Sequence, residues 1–302
     1  SSVALLLARL GRSWDDVAVV SAPYEGTVSY GTGTAAGPAA VLTASCHIET
    51  FDEELAFDHE EHLRYATLPP IPADPDERVE AYMKRLERVC AGFGLGPPFY
   101  LGLGGEHSVT SPILAGVLKD PSAVTVVQID AHADLRDEYH GSRHNHACAM
   151  RRVLDLGVKG LISLGIRSAE REEYELAKED PRITTFYDHQ LRDEKSWKKV
   201  LEQLRDLEGP IHLTVDIDGL DCTLCPGTGT PQPGGLSWNR ALDVARVLAS
   251  QAEGELVGAD ICEVTPQPGS RVNEMVAAKL AYKIVGYRFA EEKKKAAAQA
   301  QA

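Results

Sequence analysis

Positive charge is scarce in this 302-residue sequence: 31 Lys and Arg stand against 45 Asp and Glu, a formal net charge of −14. A phosphate backbone needs a basic face, so nucleic acid is excluded as the main partner. The acidic balance suits a cationic substrate, and it equally suits an ordinary acidic protein. Cysteine is scarce too. Six residues, Cys46, Cys90, Cys148, Cys222, Cys225 and Cys262, cannot frame a disulfide scaffold of this size, which points to a reducing, cytoplasmic compartment. Cys222 and Cys225 form a lone C-x-x-C with no second pair at zinc-site spacing, which argues against structural zinc or a redox role. Long apolar runs are absent as well. The segment V-A-L-L-L-A (3–8) is short and has neither a basic stretch before it nor a cleavage-like site, so it reads as neither signal peptide nor membrane span. No repeat of fixed period and no clear linker divides the chain. We expect a single domain over residues 1–290, followed by a low-complexity tail over 291–302 that is either a frayed helix or disordered.

What is present is a recurrence of short apolar runs: Val17 to Ser21, Phe99 to Leu103, Val124 to Ile129, Leu161 to Gly165, Ile211 to Val215 and Glu255 to Ala259. Continuous rather than alternating apolar character suits strands covered on both faces. Helical patterns lie between them, at Glu77 to Cys90, Ser111 to Leu118, Asn145 to Leu154, Trp197 to Leu207, Asn239 to Ala249 and Asn273 to Val285. This alternation predicts an α/β fold, a mostly parallel sheet sandwiched by helices.

Ligands of such sheets sit outside the carboxyl ends of the strands. Four of those ends carry polar clusters: G-L-G-G-E-H-S with His107, I-D-A-H-A-D with Asp130, His132 and Asp134, T-V-D-I-D-G-L-D with Asp216, Asp218 and Asp221, and G-A-D-I-C-E-V with Asp260 and Glu263. In extended chain, alternate side chains share a face, so D-x-H-x-D presents three donors together and D-x-D presents two. Carboxylates crowded at one rim raise each other's pKa steeply, and a pair of divalent cations resolves the conflict. His107, Asp130, His132, Asp134, Asp216 and Asp218 make a set of two imidazoles and four carboxylates without a thiolate, which favours Mn²⁺; nickel, cobalt and iron remain compatible. Asp221 and Asp260 are expected to cap turns or orient neighbours. His47, His59, His62, His189 and His212 lack such company and read as structural or surface residues, while His140 and His144 stay open, lying in the loop after Asp134.

Taken together, these motifs resemble the ureohydrolase family of arginases and agmatinases. The resemblance runs from S-Y-G-T-G-T-A-A-G-P-A-A at Ser29 to A-Y-K-I-V-G-Y-R ending at Arg288. It is carried by G-G-E-H-S (from Gly104), D-A-H-A-D (from Asp130), N-H-A-C-A-M-R-R (from Asn145), D-I-D-G-L-D (from Asp216), P-G-T-G-T-P (from Pro226) and E-V-T-P (from Glu263), in the family's order. It implies a three-layer α/β/α fold and two Mn²⁺ per chain. One ion would be held by His107, Asp130, Asp134 and Asp216, the other by Asp130, His132, Asp216 and Asp218. His146 matches the family's proton-shuttling histidine, Glu263 the carboxylate that receives the substrate guanidinium, and Thr230 lies in the loop beside it. Asp134 would orient the attacking water. The implied assembly is a homo-oligomer, trimer or hexamer.

The resemblance also bears on the substrate. Arginases recognise an amino acid's carboxylate and α-amine with a loop that ends S-G-N-x-H-G. The segment here, L-R-D-E-Y-H-G-S-R-H-N-H from Leu135 to His146, lacks that pattern, so a small cationic guanidino compound without a carboxylate is favoured. Agmatine fits, giving urea and putrescine; N1-aminopropylagmatine is the nearest rival, with other guanidino compounds behind it. Asp137 and Glu138 could attract a polyamine tail, but a solvated loop face is the favoured reading of them. The loop P-G-T-G-T-P-Q-P-G-G-L resembles the agmatinase version, except that Gln232 stands where Glu is common. A single-metal deacetylase on a related architecture and a non-catalytic scaffold are the readings from other classes. The complete second ligand set opposes the first, and the company of His146 and Glu263 opposes the second.

Overall fold

The computed structural model describes residues 16–92 and 99–300, which leaves the apolar segment 3–8 outside the described residues. Eight strands form one sheet: β1 (Val17–Ala22), β2 (Tyr65–Thr67), β3 (Phe99–Gly104), β4 (Thr125–Ile129), β5 (Gly160–Ile166), β6 (Ile183–Tyr187), β7 (Pro210–Asp216) and β8 (Glu255–Cys262). Their order in space is β2-β1-β3-β8-β7-β4-β5-β6, and every pairing is parallel. Strands β1, β3 and β4 are buried at every position, as expected of a sheet covered on both sides.

Alternation along each strand feeds two separate cores. Val17, Val19, Leu101, Leu103, Val127 and Ile129 point to one face, while Val20, Ala22, Tyr100 and Val126 point to the other. The first face is covered by α1 (Gly37–Ser45), α6 (Glu194–Arg205), α7 (Trp238–Ser250) and α8 (Val272–Ala300), and the second by α2 (Val79–Ala91), α3 (Thr110–Val117), α4 (Ala149–Asp155) and part of α5 (Arg171–Glu179). The result is three layers, α/β/α. Helix α6 shows the local logic. The Asp193 carboxylate caps it by accepting from Lys195 N and Ser196 N, and Trp197, Val200 and Leu204 repeat at helical spacing on the buried side. Each such fully buried side chain contributes about 1.5–3 kcal/mol.

The strand and helix cores sit where the apolar patterns predict them. Four of these labelled elements carry no clear pattern: the edge strands β2 and β6, and helices α1 and α5. Helix α8 runs through most of the low-complexity tail to Ala300 rather than ending near Val285. Among the described residues no helix is long and apolar enough to cross a membrane.

Candidate metal centre

Strands β3, β8, β7 and β4 are neighbours in space, and each carries polar residues just past its last apolar position. Register sets them level. Cys262 pairs with Asp216 and Ile129 pairs with Val215, so Asp130 and Asp216 leave the sheet side by side, with Glu263 one residue beyond β8. His107 follows β3 after a tight passage in which a Cβ on Gly105 would lie 2.0 Å from Tyr24 O, so only glycine fits.

The six expected donors converge. His107 Nδ1 lies 3.1 Å from Asp130 Oδ2, 3.0 Å from Asp134 Oδ2 and 3.6 Å from Asp216 Oδ2. His132 Nδ1 lies 3.0 Å from Asp218 Oδ2 and 3.8 Å from Asp130 Oδ1. Ligand atoms of His107, Asp130 and Asp216 all fall within 4.8 Å of one another, and so do those of Asp130, His132 and Asp218. Asp130 therefore turns one oxygen to each group. Asp216 belongs to the first group, and its Oδ1 accepts the Asp218 N–H at 2.9 Å.

Protonation reports the crowding. Burial, reinforced by Asp218, raises the Asp130 carboxyl; burial and Asp130 push Asp134 up to about 7; burial, Asp218 and Asp130 lift Asp216 well above the usual carboxylate range. Burial opposes charge on the two imidazoles, yet the carboxylates outweigh it. Asp130 and Asp134 raise His107 well above its ordinary value, and Asp218 raises His132 to about 9. Asp218 goes the other way: burial works to raise it, and the His132 hydrogen bond holds it low. Four buried carboxylates sharing protons with two imidazoles are a donor set that fits two divalent cations. The arrangement matches a binuclear site.

A fully buried chain of hydrogen bonds backs His107. Its Nε2 lies 2.8 Å from Thr214 Oγ1, which donates to Asp260 Oδ1 at 2.7 Å; Asp260 Oδ2 lies 2.6 Å from His212 Nε2, and Tyr100 Oη lies 2.9 Å from His212 Nδ1. Gln128 Nε2 donates to Asp130 Oδ2 at 2.8 Å. Partners of this kind fix the orientation and tautomer of a ligand.

Beside the donors lies a small cavity lined by Ser29, Tyr30, Glu106, His146, Thr230 and Glu263. Glu263 Oε1 accepts the His107 N–H at 2.8 Å, and burial together with nearby Glu106 lifts its carboxyl well above the usual range. His146 Nδ1 lies 3.9 Å from Glu263 Oε1, and burial lowers that imidazole to about 4, with His132 and His107 adding to the effect. Thr230 Oγ1 donates to Asp218 Oδ2 at 3.4 Å. Asp134 and Glu263 hold φ of 54° and 63°, a left-handed backbone that costs non-glycine residues roughly 1–3 kcal/mol and gathers at functional sites.

A sequence model of the arginase family matches residues 15–286. The chain belongs to the arginase family. It is similar to the N(1)-aminopropylagmatine ureohydrolase of Synechocystis sp., at 39% identity over 92% of this chain and 91% of the relative. It is also similar to the agmatinase of Bacillus anthracis, at 35% over 83% and 84% of the two chains. Among solved structures, agmatine ureohydrolase of Thermoplasma volcanium superposes with a TM-score of 0.79 at 28% identity, covering 96% of this chain and 99% of that one. The chain is thus an arginase-family ureohydrolase, of the hydrolases that act on guanidino groups.

Asp221 caps its own turn by accepting from Thr223 N at 2.8 Å, and Asp260 orients Thr214 and His212. Asp137 is engaged by Arg152 and Arg143, so it is not free charge for a substrate tail. All six cysteines are unpaired; Cys225 is buried, with its Sγ 3.6 Å from Asn273 Oδ1, and burial pushes its thiol up to about 12. His140 stacks on Tyr139 at 4.0 Å between ring centroids. Sequence reasoning gave no role to Thr27, Ser29 and Glu106. The Thr27 hydroxyl accepts the His146 N–H at 3.0 Å, its own N–H donates to Glu106 Oε1 at 2.6 Å, and Ser29 Oγ meets His146 Nε2 at 3.0 Å. The signal for Thr27 and Ser29 is the polar, glycine-spaced stretch directly after β1, and that for Glu106 is its place in G-G-E-H-S after β3.

Proposed function

We propose that the chain is a dimanganese hydrolase that cleaves the guanidinium of agmatine to urea and putrescine, a step of polyamine formation. The observation that carries this reading is the pair of three-donor groups joined at Asp130, next to the buried Glu263 carboxylate. His107, Asp130, Asp134 and Asp216 would hold one ion, and Asp130, His132, Asp216 and Asp218 the other. Bound there, the metals supply positive charge and a water acidified enough to act at neutral pH.

The chain's own residues do the rest. Glu263 offers its Oε2 to a planar guanidinium through charge-assisted bonds, and the loop at Gly229 and Thr230 lines the same small cavity. This placement sets the guanidinium carbon over the donors, which removes the entropic cost of encounter. Asp134 aims the attacking water. As the carbon–oxygen bond forms and a carbon–nitrogen bond breaks, the departing amine takes a proton, and His146 is the residue positioned to pass it. Among the described residues, the lining other than Glu263 and Glu106 brings no further carboxylate or fixed cation, which suits a substrate recognised by its guanidinium and not by an amino-acid head.

N1-aminopropylagmatine is the second reading, favoured by the 39% identity to a relative named for that substrate. We place the enzyme in the cytoplasm, where its free thiols stay reduced, as a homo-oligomer, trimer or hexamer. The test is urea release from both amines by the Mn²⁺-loaded protein, with metal counted. No urea from either, at two ions per chain, overturns the substrate; one zinc per chain favours a deacetylase-type enzyme.

A further inference from the structure

The two imidazoles of the centre are backed differently. His107 leans through Thr214 on the Asp260 carboxylate, so negative charge stands behind its far nitrogen. His132 has no carboxylate behind it among the described residues. Its Nδ1 faces Asp218 and Asp130, and its Nε2 lies 3.4 Å from the side-chain amide nitrogen of Gln232. For Nδ1 to offer a lone pair to an ion, Nε2 must carry the hydrogen. Two N–H groups cannot bond, so the amide of Gln232 presents its oxygen instead; the two ends of a glutamine amide are told apart only by their partners.

Gln232 is held in that place by Arg167. The guanidinium donates through Nη2 to Gln232 O at 3.0 Å and to Asp218 O at 2.6 Å, through Nε to Pro233 O at 3.1 Å, and through Nη1 to Gly165 O at 3.0 Å. One side chain therefore ties the Gln232 loop to the main chain of a proposed ligand and to the end of β5. Gly235 N donates to Asp188 Oδ1 at 3.1 Å and pins the same loop from its far end. These bonds fix the main chain from which the Gln232 side chain reaches His132.

We propose that Gln232 positions His132 by accepting its Nε2–H, and that the neutrality of this partner makes the ion held by His132 and Asp218 the more weakly bound of the two. Residue 232 thereby bears on the metal through His132. The inference rests on the dinuclear reading above.

The test is a titration of the metal-free protein with Mn²⁺ against a competing chelator, followed in parallel by the manganese EPR signal. Wild type should fill in two steps. Gln232→Leu should weaken the weaker step and Gln232→Glu should tighten it, each by about 10–100-fold, with the tighter step unmoved. His132→Ala should remove the weaker step alone. Thermal melts of the metal-free variants should coincide with wild type, which separates a metal effect from a folding one. A weaker step that stays put in both Gln232 variants, or two steps that move together, overturns the proposal. A wild-type protein that binds fewer than two ions overturns the dinuclear reading itself, and the proposal with it.

Discussion

His146 bridges two elements far apart in the chain: its Nε2 lies 3.0 Å from Ser29 Oγ, and its Nδ1 faces Glu263 Oε1 at 3.9 Å. The imidazole stands between a hydroxyl at the cavity mouth and the carboxylate proposed to receive the guanidinium. His146→Ala should lower kcat by about 10²–10⁴-fold while metal content stays at the wild-type level. Ser29→Ala should lower it less. Steady-state urea assays beside elemental analysis check both; loss of metal in the His146 variant would show a structural role instead.

Asp130 turns one oxygen to each donor group. Asp130→Ala should therefore lose both ions and all turnover, whereas Asp218→Ala should spare the ion on the His107 side. Ion counts after dialysis decide; two ions retained by Asp130→Ala would exclude the bridge.

Glu263→Gln keeps the shape of the side chain and removes its charge. If Glu263 pairs with the guanidinium, the loss of charge-assisted bonds worth about 1.5–3 kcal/mol should cut kcat/KM roughly 10–100-fold. Manganese affinity should hardly change. An unaltered kcat/KM would place the guanidinium elsewhere.

Metal loading should depend on pH in a set direction. Asp134 is pushed up to about 7, Asp130 and Asp216 are also raised, and His107 and His132 favour their protonated forms. Ions must displace those protons, so affinity rises with pH, by about tenfold per pH unit for each proton released. Calorimetry at pH 6.5 and 8.0, in buffers of differing ionisation heat, reads both the trend and the proton count.

Away from the centre, Lys283 of α8 is buried and donates to Asp52 Oδ1 at 2.8 Å and to Glu54 Oε2 at 3.0 Å. Lys283→Met leaves the buried Asp52 carboxylate without its cation and should cost about 3–5 kcal/mol in denaturant unfolding. Burial works to raise the Glu54 carboxyl, and Lys283, Tyr287 and Arg246 outweigh it, so its folded pKa lies below the unfolded value. That contribution is present above the unfolded pKa and fades as pH falls through the folded one. The gap between wild type and variant should narrow in acid.

The six donors were legible because each motif follows an apolar strand, and a parallel sheet delivers strand ends to one rim. The same logic located β1, β3, β4, β5, β7 and β8. Strand β2 escaped it because three half-exposed residues, Tyr65 to Thr67, carry no run. Helix α1 is built mainly from small residues and has no apolar stripe, and α5 is mostly charged. Gln232 was visible as a departure from the agmatinase loop, yet its contact with His132 depends on Arg167, 65 residues away in sequence, and no local pattern reports such a contact. The stretch holding Thr27 and Ser29 was visible as polar and glycine-spaced, but their contacts with His146, 119 and 117 residues away, were hidden for the same reason.

Strand β8 is the last of the eight described strands in sequence, yet it lies between β3 and β7 at the middle of the sheet. Until residues 255–262 emerge and insert, β2-β1-β3 and β7-β4-β5-β6 have no shared ladder, and His107 stands on one piece while the aspartates stand on the other. During synthesis the centre can close only after residues 255–262 have been made and inserted. A chain halted before Glu255 should neither hold a pair of ions nor release urea, and metal capture becomes a report that β8 has been made and inserted.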